Sequence, residues 1–210
     1  LTQNIQIQNQ SFVLHPSGAM FWEEKSALLI SDVHLGKVSH FRKYGAAVPQ
    51  KAIQANFELM DEVVEFFNPN TVYFLGDLFH SHINSEWNLF EDWVSKAKTI
   101  IILVYGNHDI ISPIKYEELG IQLLDELILE NILLTHHPEE RKGFFNFCGH
   151  IHPAIKIRGS GKQSLRLPCF FKSPNQLILP AFGEFTGLFT HKPTKKNQVF
   201  AIAEGMIIKI

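Results

Sequence analysis

Cysteine is nearly absent: Cys148 and Cys169 are the only two, and they sit in neither a CxxC nor any paired zinc-finger spacing. A disulfide framework and a cysteine-based zinc finger are therefore excluded, and a reducing cytoplasm is the expected compartment. An excess of one charge is also missing, because 19 Lys plus Arg against 21 Asp plus Glu leave a formal net charge of −2. That balance argues against a module that coats nucleic acid by charge alone. No stretch approaches the roughly 18 consecutive apolar residues of a membrane span. The opening LTQNIQIQNQ lacks the basic and apolar regions of a secretory signal, so the chain is expected to be neither exported nor embedded. No composition break, polar linker or internal repeat divides it. With 45% hydrophobic residues over 210 positions, one globular domain spanning 1–210 is expected. What the chain does have in abundance is histidine, with 11 residues.

The apolar pattern organises these histidines. Ile5, Ile7 and Phe12 to Leu14 alternate as strands, and His15-Pro16-Ser17-Gly18 reads as a turn. The run Ala27 to Ile30 leads into Ser31-Asp32-Val33-His34. Between Pro49 and Asn68-Pro69, Ile53, Phe57, Met60, Val64 and Phe67 recur at helical spacing, which predicts an amphipathic helix on a sheet. The run Thr71 to Leu75 ends in Gly76-Asp77, and a helix follows with Trp87, Phe90, Val94 and Ala97 on one face. A third run, Ile100 to Tyr105, ends in Gly106-Asn107-His108-Asp109. From about Ile121 the runs become short and β-rich, separated by Gly, Pro and Asn. The expected fold is α/β with two mixed β-sheets packed face to face, flanked by helices.

Each of the first three runs therefore delivers polar residues at its end: Asp32 and His34, then Asp77, then Asn107 and His108. His136 and His137 in LLTHHP and His150 and His152 in CGHIHP add two more sets. Residues two apart in a strand share a face, so the D-x-H and H-x-H spacings are expected to converge. Glycine precedes Asp77, Asn107 and His150, which fits close backbone approach to a crowded polar centre. Imidazole mixed with carboxylate and amide oxygen suits transition metals, whereas Ca²⁺ and Mg²⁺ prefer all-oxygen shells and structural zinc prefers thiolate. Asp32, His34, Asp77, Asn107, His136, His150 and His152 are too many for one ion. Two ions about 3.5–4 Å apart sharing one carboxylate make a clamp for in-line displacement at phosphorus, and so predict a phosphoester hydrolase.

The ordered blocks D-x-H, G-D, G-N-H-D, H and G-H-x-H, from Asp32 to His152, resemble the calcineurin-like metallophosphoesterase superfamily and its sandwich fold. Within it, SDVHLGKVSHFRKYG at 31–45, GDLFHS at 76–81 with the later EW at 86–87, LPCF at 167–170 and LPAFGEFTG at 179–187 are similar to the bacterial ligase-associated DNA-damage-response endonuclease or phosphodiesterase. The resemblance implies one metal among Asp32, His34, Asp77 and His152 and another among Asp77, Asn107, His136 and His150. Asp77 would be the bridge. The ions are expected to be Mn²⁺, with Zn²⁺ or Fe as alternatives. His108 would protonate the leaving oxygen or stabilise the transition state, oriented by Asp109 or a backbone group. The implied setting is DNA repair, with a DNA ligase, helicase or exonuclease as partner. A small nucleotide-type substrate, or a non-catalytic scaffold, is the alternative.

Other residues admit two readings. Lys37, Arg42 and Lys43 are either phosphate contacts or a solvated turn or helix face. His80 and His82 are substrate contacts or solvated loop residues. The strand alternation that aims His136 inward sends His137 elsewhere, into a structural or supporting place. Lys192, Lys195 and Lys196 read as a loop kept soluble by charge. The Phe182 to Gly187 stretch has no chemistry assignable from sequence.

Overall fold

The computed structural model describes residues 1–45, 51–159, 161, 163–183 and 186–210; the Lys43 side chain lies outside the described part. The chain order is β1 (Gln3–Ile7), β2 (Gln10–Leu14), β3 (Met20–Trp22), a 3-10 turn (Glu23–Lys25), β4 (Ala27–Ile30), α1 (Lys37–Lys43) and α2 (Lys51–Phe67). There follow β5 (Thr71–Leu75), α3 (Ser85–Lys96), β6 (Ile100–Val104), α4 (Pro113–Glu117) and β7 (Gln122–Leu124). The β-rich part holds β8 (Leu127–Leu129), β9 (Ile132–Leu134), β10 (Phe145–Cys148), β11 (Pro153–Arg158), β12 (Ser164–Lys172), β13 (Gln176–Ile178), β14 (Phe189–His191), β15 (Gln198–Ala203) and β16 (Met206–Lys209).

The first sheet runs in sequence order from β1 to β7, antiparallel up to β4 and parallel from β4 to β7. The second follows β14-β11-β12-β13-β10-β9-β8, with β15 on β12 and β16 on β15. Strands β9, β10 and β13 are parallel. Alternation in β4 and β5 explains how the layers stack. Leu28, Ile30, Val72 and Phe74 join Met60, Val63 and Phe90 from the helices in one core. Leu29, Tyr73 and Leu75 point the other way, into the core shared with Ile132, Leu134, Phe145 and Phe147 of the second sheet. Strands buried on both faces read as continuous apolar runs, which is why 27–30 and 71–75 carry no polar alternation.

The helix expected after Pro49 is α2, but its buried seam runs through Ile53, Asn56, Met60 and Val63. Phe57, Val64 and Phe67 flank that seam, half-buried. The side chains that best matched a regular stripe are thus at its edge, because a buried Asn at position 56 breaks the apolar reading. In α3, Trp87 and Phe90 are buried as expected, and so are Glu86 and Trp93. No helix among the described residues is long and apolar enough to cross a membrane.

Candidate metal centre

The parallel strands β4, β5 and β6 end side by side, and β9 and β10 end against them from the second sheet, so five loops meet at one place. Ligands gather at such carboxyl ends in open sheets. Asp32 and His34 do converge on one group, but not by strand alternation, whereas His150 and His152 part, the first towards His136 and the second towards Asp32 and His34. Strand β4 stops at Ile30 and β10 at Cys148, so both pairs lie in loops. Asp32 (φ 55°), His34 (54°), Asp77 (51°), His150 (66°) and His152 (51°) all adopt left-handed backbone. Non-glycine residues held this way store strain of order 1–3 kcal/mol each, a hallmark of functional loops.

Close approach is possible because the preceding glycines lack a side chain. A Cβ on Gly149 would stand 1.6 Å from Ser31 Oγ and 2.3 Å from Asp32 Oδ2. One on Gly76 would fall 2.3 Å from the His136 ring, and Gly106 is packed in the same manner against Asp77.

Two clusters of acceptor atoms result. In one, Asp32 Oδ1 lies 3.2 Å from His152 Nε2 and 3.8 Å from His34 Nε2, and the two imidazole nitrogens are 3.3 Å apart. Asp32 is wholly buried, yet its Oδ1 has no hydrogen-bond partner. In the other, His136 Nε2 is 3.2 Å from Asn107 Oδ1, 3.2 Å from His150 Nδ1 and 3.4 Å from Asp77 Oδ1. His136 Nδ1 is 2.9 Å from the Leu75 carbonyl, so Nδ1 carries the hydrogen and Nε2 presents a lone pair to the cluster. His152 Nδ1 meets the Gly187 carbonyl at 3.1 Å and leaves its Nε2 in the same state. Lone pairs facing lone pairs in a buried site need a cation between them. The donor set fits a pair of divalent transition metals, with Asp77 offering Oδ1 to one cluster and Oδ2, 3.9 Å from His34 Nε2, to the other.

Protonation follows from burial and neighbours. Burial lowers His34 to about 3, outweighing Asp32 and Asp77, so its ring is neutral and able to ligate. Burial alone would raise Asp77, but the hydrogen bond and charge of His136 and the His108 N–H bring it to about 2. His136 is raised by Asp77 in spite of burial. A cation held at Asp77 and His136 therefore competes with a proton for the same lone pairs. Burial, with His137 and His136 nearby, lowers His150.

Supporting groups hold this arrangement. Asp32 Oδ2 accepts from Ser31 Oγ (2.6 Å) and the His150 N–H (2.9 Å). Asp109 does not orient the His108 ring: its carboxylate accepts the backbone N–H groups of Asp77 (2.8 Å), Gly106 (2.8 Å) and Phe79 (3.1 Å) and so locks two loops together. Burial raises Asp109 to about 6 against those bonds. The ring of His108 instead stacks on His80, with centroids 4.1 Å apart and planes at 26°. Burial, then the charges of His108 and Lys37, lowers His80 to about 4. Glu86, to which the EW pair gave no role, is buried, accepts the N–H groups of Gly36 (2.7 Å) and Ser39 (2.9 Å) and caps α1. The segment without assignable chemistry also has a place. Phe182 N–H bonds Ser31 O at 2.9 Å, Gly183 N–H bonds Asp32 O at 3.2 Å, and Gly187 supplies the acceptor for His152.

His137 departs from the alternation argument. Strand β9 ends at Leu134, and the exposed His137 ring lies 4.1 Å from that of His150, in a group with His136. Lys37, first in α1, is half-buried within the fields of Asp77 and Asp32. Arg42 and His82 are exposed. The expected contact by Lys43 lies outside the described residues.

A family model described as calcineurin-like phosphoesterase matches residues 26–197. The crystal structure of the Pseudomonas putida nuclease MPE is similar over 100% of both chains, with 28% identity and a TM-score of 0.83. A protein of unknown function from Aquifex aeolicus, AQ665, is 19% identical over 60% of this chain and 78% of its own, with a TM-score of 0.45. No curated protein matches. The match runs from β4 through β14 and takes in every loop that brings an acceptor to the two clusters, and the chain belongs to the calcineurin-like phosphoesterase family.

Proposed function

We propose that the protein is a two-metal phosphodiesterase that cleaves DNA. The observation that carries the reading is the placement of Asp77, whose two carboxylate oxygens face separate clusters. Asp32, His34 and His152 would hold one ion with Asp77, and Asn107, His136 and His150 the other. Such ions, Mn²⁺ in our reading with Zn²⁺ or Fe as alternatives, would supply positive charge to the non-bridging oxygens of a phosphodiester and activate water. His108 stands at the rim with its ring held by His80, and would protonate the leaving oxygen. The half-buried Lys37 would meet the phosphate from α1, with His80, Arg42 and Lys43 as further contacts. Full-length similarity to a nuclease supports a nucleic-acid substrate, and the SDVHLGKVSHFRKYG and LPAFGEFTG segments support a repair role beside a ligase, helicase or exonuclease.

The test is hydrolysis with added Mn²⁺ of a DNA oligonucleotide, a small aryl diester and an aryl monoester. DNA and diester should be cut and the monoester spared. His108→Ala should retain both ions and lose about 10²–10⁴ in turnover. Turnover of a small diester with no cut in any DNA would discard the nuclease.

A further inference from the structure

The near-zero net charge conceals a segregation along the chain. Residues 1–140 carry 8 Lys plus Arg against 19 Asp plus Glu, a balance of −11, whereas residues 141–203 carry 10 against a single acid, Glu184, a balance of +9. The last seven residues hold one of each. Such asymmetry points to a polyanionic partner. The average of −2 therefore does not describe residues 141–203.

The fold concentrates part of this charge beside the metal centre. Strand β11 begins immediately after His152, and the Phe189 N–H of β14 bonds the His152 carbonyl at 3.0 Å. Strands β11 and β12 pair with Lys156 opposite Arg166, and Arg158, two residues further along, shares their face. All three are exposed, as are Lys192, Lys195 and Lys196 beyond β14. Among the described residues no ion pair engages any of these six, whereas Arg141 is bound by Glu126 and Glu139. Like charges directly opposite in a sheet destabilise it. Protecting a sheet edge would explain cations on the outermost strand, but β14 (Phe-Thr-His) has none, and the opposed pair lies inside the β11–β12 hairpin.

We propose that this hairpin, with the 192–196 loop, is a cationic track for the phosphate backbone of a nucleic-acid strand whose scissile phosphate lies at the metal centre. The proposal rests on the phosphodiesterase reading and adds where the rest of the substrate runs. At about 3.3 Å per residue, Lys156 lies about 13 Å along β11 from His152, some four nucleotides of duplex rise.

The test uses the full chain and a fluorescein-labelled 20-nucleotide DNA with phosphorothioate linkages, which keep every charge and resist cleavage. Anisotropy titrations across a salt series compare the parent with Lys156→Gln/Arg158→Gln/Arg166→Gln. Loss of three phosphate contacts should reduce the slope of log K against log salt by about 2–3 and weaken binding about ten- to a hundred-fold near 0.1 M salt. The charge-keeping Lys156→Arg/Arg158→Lys/Arg166→Lys should retain the slope. An unchanged slope in the neutral variant overturns the track, as does an equal loss in the charge-keeping one. A loss seen on phosphatidylserine vesicles and not on DNA assigns the face to lipid headgroups and overturns it too. Hydrolysis of bis(p-nitrophenyl) phosphate by the parent tests the underlying reading apart from these data: its absence overturns the phosphodiesterase, whatever the binding shows.

Discussion

Gly149→Ala isolates the packing on which the Asp32 cluster depends. The backbone of Gly149 has no positive φ, so the substitution carries no conformational penalty of that kind. The effect is steric: the new methyl would stand 1.6 Å from Ser31 Oγ and 2.3 Å from Asp32 Oδ2. Ordinary contact begins near 3.4 Å, so both groups must retreat by more than an ångström. Asp32 Oδ2 is also the acceptor for Ser31 Oγ and the His150 N–H, and those bonds stretch with it. Overpacking of this kind costs about 1–3 kcal/mol, or roughly 2–12 °C in Tm for a chain of this size. Displaced ligand supports weaken metal binding about 10–100-fold. Urea unfolding of the metal-free protein reads the first number and calorimetric Mn²⁺ titration the second. Gly120→Ala, where a Cβ meets nothing but φ is +77°, measures the backbone penalty by comparison. Gly149→Ala with parental metal affinity would refute the account of how the two sheets form the site.

Glu86→Ala removes the acceptor of two α1 N–H groups, so it should cost about 1–2 kcal/mol and speed hydrogen exchange at Gly36 and Ser39; unchanged protection there contradicts the cap. His80→Ala should keep the metals and slow turnover about 2–12-fold, the worth of one ring stack, while His80→Phe restores it; failure of the phenyl ring to restore activity would show that an imidazole nitrogen is needed. His15 titrates below its ordinary 6.5 because burial outweighs Glu62, so the folded state disfavours its proton. Its contribution is complete above pH 6.5 and is lost as pH falls through the lowered value, so unfolding free energy should drop on acidification there and His15→Gln should flatten that part of the profile.

The candidate ligands were legible because each block is short and local: a strand end, a glycine, then a donor. The end of α2 is legible because Asn68-Pro69 closes the apolar period, while Pro49 lies outside the described residues. The supports were not. Asp109, Glu86 and Ser31 act as acceptors or donors for backbone that is distant in sequence or displaced by turns, and nothing in a neighbouring residue type signals that. Asp32 and His34 do meet, but from a loop with left-handed backbone beyond β4, a conformation that the strand-like spacing does not signal. The net charge of −2 is an average that hides the sign change between residues 1–140 and 141–203.

The most direct test of the shared centre is anomalous scattering from crystals grown with Mn²⁺. The account predicts two peaks about 3.5–4 Å apart, with the Asp77 carboxylate between them, one beside Asp32, His34 and His152 and the other beside Asn107, His136 and His150. A single peak, or two peaks that do not share Asp77, would contradict it.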